Sequence, residues 1–264
     1  MTSELIRKAV KANEYAKELY ENKKMEEAFE AYQEAAILFQ SAEEYSRAAD
    51  CFSKAATCEK IRAGIETARA AAVCCENGAK AAIKAGQILH ARWLYREAGL
   101  IYEREGDFAR FSYCFIQAQH TYTKLLFKIA FKGLFEEKNH EVRRAVFTER
   151  IGALFRWFFG KVSWWIWGYG EIPWRPFATA CLIVLGCGML YFGSGLIETS
   201  HNPGRADFAE SIYFSGVTFT TLGYGDDTPQ GWIRLIAILE AFCGLFIMPL
   251  FVISLSRKYL RVFQ

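Results

Sequence analysis

Two stretches of this chain, residues 176–197 and 235–255, are apolar enough and long enough to cross a bilayer, which takes about 20 residues. The first carries no charged residue and the second carries only Glu240. Between them lies a third apolar stretch, 208–222, too short to cross and followed by a glycine-rich, acidic turn. Backbone that enters a membrane and returns as extended chain is tolerated only where protein or water covers its unpaired polar groups. The expected arrangement is therefore two crossing helices around a re-entrant loop.

Charge placement orients this unit. Arg143, Arg144, Arg150, Arg156, Lys161 and Arg175 precede the first span, and Arg257, Lys258 and Arg261 follow the second. The connecting segment holds only Arg205, against Glu198, Asp207, Glu210, Asp226 and Asp227. The positive-inside bias puts both termini in the cytoplasm and the loop outside, in a multi-pass protein of the cell (inner) membrane. The opening MTSELIRKAV has no apolar core of signal-peptide length, so export of the N-terminus is not expected. Ahead of the first span, Trp157, Trp164, Trp165, Trp167 and Trp174 mix with Arg156 and Lys161. That composition suits a helix over 151–168 lying in the cytoplasmic interface and turning into the membrane around 168–176. A third full crossing is the alternative, opposed by the two cations and the glycines.

Residues 1–130 have another character. They are rich in Ala, Glu and Lys, and a pooled mean hydropathy near zero averages a soluble part with a membrane part. The spacing Ala-x3-aromatic-x2-Ala recurs at Ala28/Tyr32/Ala35, Ala48/Phe52/Ala55 and Ala91/Tyr95/Ala98. Degraded copies fall at Ala71/Cys75/Gly78 and near Ala109/Tyr113. Small Ala lets helices approach and the aromatic fills the groove between them. Breaks are expected at 21–24, 41–42, Gly64, Gly86 and Gly106-Asp107, leaving five or six helices stacked as an α-solenoid. The lettering resembles tetratricopeptide repeats. The spacing, about one helix and a turn, resembles the related repeats of soluble NSF attachment proteins more closely, although the first repeat lacks the Trp, Gly and closing Pro of the consensus. That resemblance covers residues 1 to about 125 and implies a domain that binds a peptide or protein partner.

Eight cysteines are present, mostly at apolar helical positions and without a CxxC pair, which favours buried free thiols over disulfides or zinc. A formal charge of +3, scattered along the chain, gives no nucleic-acid surface. No nucleophile–base pair or metal set points to an enzyme.

The segment Thr221-Leu222-Gly223-Tyr224-Gly225-Asp226 resembles the potassium channel signature T-V-G-Y-G-D. A dehydrated K⁺ needs rings of oxygens in place of water, and aligned backbone carbonyls provide them. Successive carbonyls face one axis only if alternate residues take unusual backbone angles, which Gly223 and Gly225 permit. The resemblance implies K⁺ sites at the carbonyls of Thr221, Leu222, Gly223 and Tyr224, Tyr224 bracing the filter, Asp226 at the outer mouth, and four copies around one pore. The permeant ion is then the only ligand, with no cofactor. Asp207 followed by Glu210 is a helix-start signal, so a pore helix is expected from Phe208 to about Phe219. Two positions depart from the pattern. Leu222 replaces the usual Val, and Val217 stands where some relatives carry a Glu that pairs with the signature Asp.

In the second span, Gly244 and Pro249 are weak points, and Gly244 admits either a gating hinge or close helix packing. Met248, Val252 and Ser256 follow Gly244 at one-turn steps and are expected to line the cavity and gate. Glu240 is costly in lipid and should face protein, bonding the pore-helix region or coordinating an ion. No segment has Arg at every third position, so no voltage sensor is expected. The chain thus reads as an all-α, tetrameric two-span potassium channel resembling the prokaryotic type, with domains at 1–130, 131–175 and 176–264. The alternative is an adaptor whose repeat domain recruits partners at the membrane, and a small-molecule sensor is equally open for that domain.

Overall fold

The computed structural model describes residues 2–63, 69–131, 147–199 and 206–260. Of the positions used above, Gly64, Arg143, Arg144, Arg205 and Arg261 lie outside them. The described chain is almost entirely helical and divides into two compact units, residues 1–161 and 162–263.

The first unit opens with six helices: α1 (Thr2–Glu21), α2 (Met25–Ser41), α3 (Tyr45–Ala63), α4 (Arg69–Lys84), α5 (Ile88–Arg104) and α6 (Phe108–Phe131). Each packs on the next in chain order, the nearest-neighbour pattern of a helical repeat. The alanines and aromatics at the recurring spacing in α2, α3 and α5 are all buried in one continuous core. The degraded copy in α4 is buried too. A Cβ added at Gly78 would stand 3.1 Å from Phe52 Cβ and 3.2 Å from Leu94 Cδ1, so the small residue sets how closely three helices meet.

The copy near Ala109/Tyr113 is not a core stripe. Both residues are exposed, and α6 instead turns Cys114 and Ala118 inward. The reason lies on α5, where Gly99 opens a hollow that receives Cys114 and Phe111 at 3.6 and 3.7 Å from a Cβ built there. Within α3, Glu59 accepts from both Nε and Nη2 of Arg62, and Lys60 of α3 reaches Glu97 of α5 at 2.5 Å, tying the two helices. Burial pushes the Cys74 thiol up to about 11 and those of Cys75 and Cys114 up to about 12, so they behave as small apolar side chains.

Helix ends here are closed by backbone. At α2 the Glu43 N–H donates to Gln40 O and the Glu44 N–H to Phe39 O, with Glu43 at φ 63°. Lys23 repeats the arrangement after α1, at φ 59°. This is the closure that normally uses glycine at the left-handed residue.

The unit ends in the first part of a single long helix, α7 (Phe147–Trp167). The second unit takes α7 on through a 3-10 turn, Gly168–Gly170, into α8 (Trp174–Ser194). Strand β1 (Ile197–Thr199), α9 (Phe208–Phe219), strand β2 (Asp227–Pro229) and α10 (Ile233–Leu260) follow. Both α8 and α10 are long and apolar enough to cross a membrane. The two short strands pair antiparallel with Glu198 opposite Thr228, a link that no sequence pattern announced.

Left-handed backbone costs a side-chain-bearing residue about 1–2 kcal/mol. Glu43→Gly should therefore raise the unfolding midpoint of the repeat domain, with a gain of up to about 1 kcal/mol after glycine's own entropy cost, measured by chemical denaturation followed by circular dichroism.

Candidate ion-conduction site

Helix α9 begins where its sequence says it should. The Asp207 carboxylate accepts from the Glu210 N–H at 2.7 Å, and the Glu210 carboxylate accepts from the Asp207 N–H at 2.8 Å. This reciprocal cap satisfies two backbone donors at the start of a 12-residue helix.

Its other end leads into the glycine-rich segment. The Thr221 N–H donates to Thr218 O and the Leu222 N–H to Val217 O, closing the helix with Thr221 at φ 57°. Gly223 follows at φ 56° and Gly225 at φ 78°, so every second residue from Thr221 is left-handed. Such alternation is what turns successive carbonyls toward one side of an extended chain, and glycine admits it without Cβ strain. No atom lies within 4 Å of a Cβ built at Gly223 or Gly225, so the demand for glycine is conformational and not one of space. Among the described residues, no donor reaches the carbonyl oxygens of Thr221, Leu222, Gly223 or Tyr224.

The far end of the segment is tied back to α9. The Tyr213 hydroxyl donates to Asp226 Oδ2 at 2.7 Å. Val217 is half-buried and has no polar group to offer Asp226. Tyr213, one turn earlier on the same helix face, reaches the carboxylate with its longer side chain. The sequence reading compared only the Val217 position and missed Tyr213. The four-residue spacing was the available signal.

Glu240 on α10 is buried, with 2% of its surface exposed. It accepts a hydrogen bond from Tyr191 Oη of α8 at 2.5 Å and another from Ser215 Oγ of α9. One carboxyl thus joins three helices, α8, α9 and α10. Ser215 Oγ also lies 2.8 Å from the Val184 carbonyl of α8. Neither Tyr191 nor Ser215 was singled out from sequence, because their positions next to Glu240 exist only in the fold.

Gly244 faces the C-terminal end of α9. A Cβ there would overlap the Phe219 carbonyl oxygen and lie 2.8 Å from its carbon. Close approach is therefore what this glycine does in the structure. Met248 borders an apolar cavity of about 450 Å³ together with Phe219, Thr220, Ile247 and Phe251. Val252 and Ser256 lie on uncovered surface, and α10 runs unbroken through Pro249. No group of three or more His, Cys, Asp or Glu among the described residues is placed to hold a metal ion.

Residues 178–261 match the family model described as ion channel. That match falls within the C-terminal unit. Residues 2–124 match the model of the soluble NSF attachment protein, SNAP, so each family falls on the residues that carried its resemblance. The chain is similar to Protein LctB of Bacillus caldotenax, 37% identical over 81 residues, which is 27% of this chain and 60% of that protein. LctB of Geobacillus stearothermophilus is 49% identical over 45 residues, 17% of this chain and 33% of that protein. Potassium voltage-gated channel subfamily KQT member 4 of Homo sapiens is 35% identical over 65 residues, 23% of this chain and 9% of that protein. The chain therefore spans less than two thirds of these relatives. No solved structure matches it significantly.

Removing the Glu240 carboxyl leaves the buried Tyr191 hydroxyl without its acceptor, at a cost of about 1–3 kcal/mol, while Ser215 keeps the Val184 carbonyl within reach. Glu240→Ala should lower the melting temperature in detergent markedly, while Tyr191→Phe, which removes donor and keeps shape, should lower it less.

Proposed function

We propose that the chain is the subunit of a homotetrameric, potassium-selective channel of the cell (inner) membrane, passing K⁺ down its gradient with both termini in the cytoplasm. One observation carries the reading: four consecutive backbone carbonyls that no donor among the described residues reaches, in a segment left-handed at every second residue, immediately after a capped helix. Unpaired carbonyls are costly in a membrane unless something takes the place of the donor, and a dehydrated cation does so. One chain supplies one such segment, so a closed ring of four is needed to surround an ion. Leu222 and Tyr224 are 60% and 68% exposed in the single chain, which leaves them free to pack against neighbouring copies. The local similarity to a relative named as a potassium channel supports the same permeant ion here.

The SNAP-like repeats favour a second role, in which the cytosolic solenoid docks a peptide or protein and regulates the pore. In the rival version the solenoid is an adaptor at the membrane and the pore unit is chiefly its anchor.

The purified protein should have a mass four times 30.1 kDa and, in liposomes, pass K⁺ far better than Na⁺ with block by Ba²⁺. Gly223→Ala should keep the mass and abolish flux, because a Cβ strains the left-handed position. Equal K⁺ and Na⁺ flux through the intact protein would overturn the filter assignment.

Deleting residues 1–140 should leave K⁺ selectivity intact and change open probability in single-channel records. An open probability that does not move, with or without a docked partner, would favour the adaptor reading.

A further inference from the structure

Near the C-terminal end of α6 the first unit contains a cavity of about 380 Å³. Its wall carries Lys124 and Lys128 of α6, Lys161 of α7, His120, and the rings of Phe127 and Trp157, with no carboxylate among the lining residues. None of the three lysines is ion-paired among the described residues. The cavity exists because α7 comes close to α6 at Gly160, where a Cβ would stand 3.3 Å from Thr123 Oγ1. Phe127, Phe131 and Trp157 pack ring against ring at centroid distances of 4.7, 5.5 and 5.6 Å and give the cavity a fixed apolar side.

The ordinary account of a lysine near a helix C-terminus is the helix dipole, and it covers Lys128 in the last turn of α6. It does not cover Lys161, which belongs to α7, or the placement of like charges one turn apart at Lys124 and Lys128, which repel. Three cations around one hollow are stable together when an anion sits among them. The volume exceeds what bare phosphate needs, and the aromatic side suits an ester substituent. Leu154 and Phe158 are exposed on α7 and precede Lys161 on the same helical stripe, so an apolar track leads away from the basic rim. Lys161 stands on α7 between this track and the turn into α8, the first apolar span.

We propose that this cavity binds the phosphodiester headgroup of an anionic phospholipid, with the lysines on the phosphate and the acyl chains along Leu154 and Phe158. The site rests on α8 being a membrane helix but not on K⁺ conduction, so its failure would leave the conduction reading untouched.

The full-length protein in mild detergent is tested by native mass spectrometry with phosphatidylglycerol, phosphatidylcholine of the same chains, and glycerol phosphate. Each basic residue near a phosphate adds about 1 kcal/mol, so phosphatidylglycerol should be retained at least about tenfold over phosphatidylcholine. Lys124→Gln/Lys128→Gln/Lys161→Gln should lose the preference at an unchanged melting temperature, and the matching triple Arg variant should keep it. If the Gln triple melts early, Lys161→Gln alone must show a reduced preference. Equal retention of both lipids, or a preference that survives neutralisation in a folded variant, would overturn the proposal. Binding of glycerol phosphate with no lipid preference would overturn the lipid source.

Discussion

The constraint on which this structure turns is a run of backbone with nothing to bond. The carbonyls of Thr221, Leu222, Gly223 and Tyr224 have no protein donor among the described residues, yet they follow a helix flanked by two membrane-length spans. In a soluble loop, water would satisfy them and their exact course would matter little. Between membrane helices the course must be fixed, because an unpaired carbonyl turned into hydrocarbon costs several kcal/mol. Each notable contact of the second unit bears on fixing it. The Asp207–Glu210 cap sets where α9 starts, Gly244 lets α10 seat against its end, and Tyr213 anchors the outer end through Asp226.

Glu240 belongs to the same logic. A carboxyl within an apolar helix is expensive, and a well-packed aliphatic side chain would fill its volume at lower cost. Its value lies in direction. Accepting from Tyr191 and Ser215 fixes the rotation of α8 and α9 about their axes, which apolar packing alone leaves loosely set. The small residues complement it: Gly188 admits Ile212 of α9 to α8, as Gly244 admits Phe219 to α10. Polar bonds choose the register and missing side chains allow the approach.

What could be read from sequence follows the range of the forces involved. The two spans, the start and end of α9 and the stripes of α2, α3 and α5 depend on hydrophobic period and capping, which are local. The left-handed positions at Gly223 and Gly225 are equally local, since glycine announces them. Three features were not legible. The inward face of α6 is Cys114/Ala118 because Gly99 sits on the neighbouring helix, a fact that no pattern within α6 contains. The Tyr213–Asp226 bond depends on how the chain turns after α9. Lys23 and Glu43 take left-handed backbone without being glycine, because the closures at their helix ends outweigh the local cost.

The turn between α7 and α8 is held by two arginines. Gly168, Tyr169 and Gly170 are left-handed in succession, at φ 59°, 57° and 86°. Arg175 pins this turn from below, its guanidinium 3.8 Å from the Trp164 ring centre and donating to the Trp164 carbonyl. Arg257, in the last turns of α10, comes within 3.0 Å of the place where a Gly170 side chain would begin. The cytoplasmic end proposed for the second span therefore rests on the turn that continues α7. Gly168 and Gly170 take these angles without Cβ strain, and Tyr169 alone bears the cost of a left-handed residue with a side chain. Under the proposed regulation, a ligand acts only to the extent that it binds two arrangements of the protein differently, and the Arg257–Gly170 contact is one place within the second unit where such arrangements can differ.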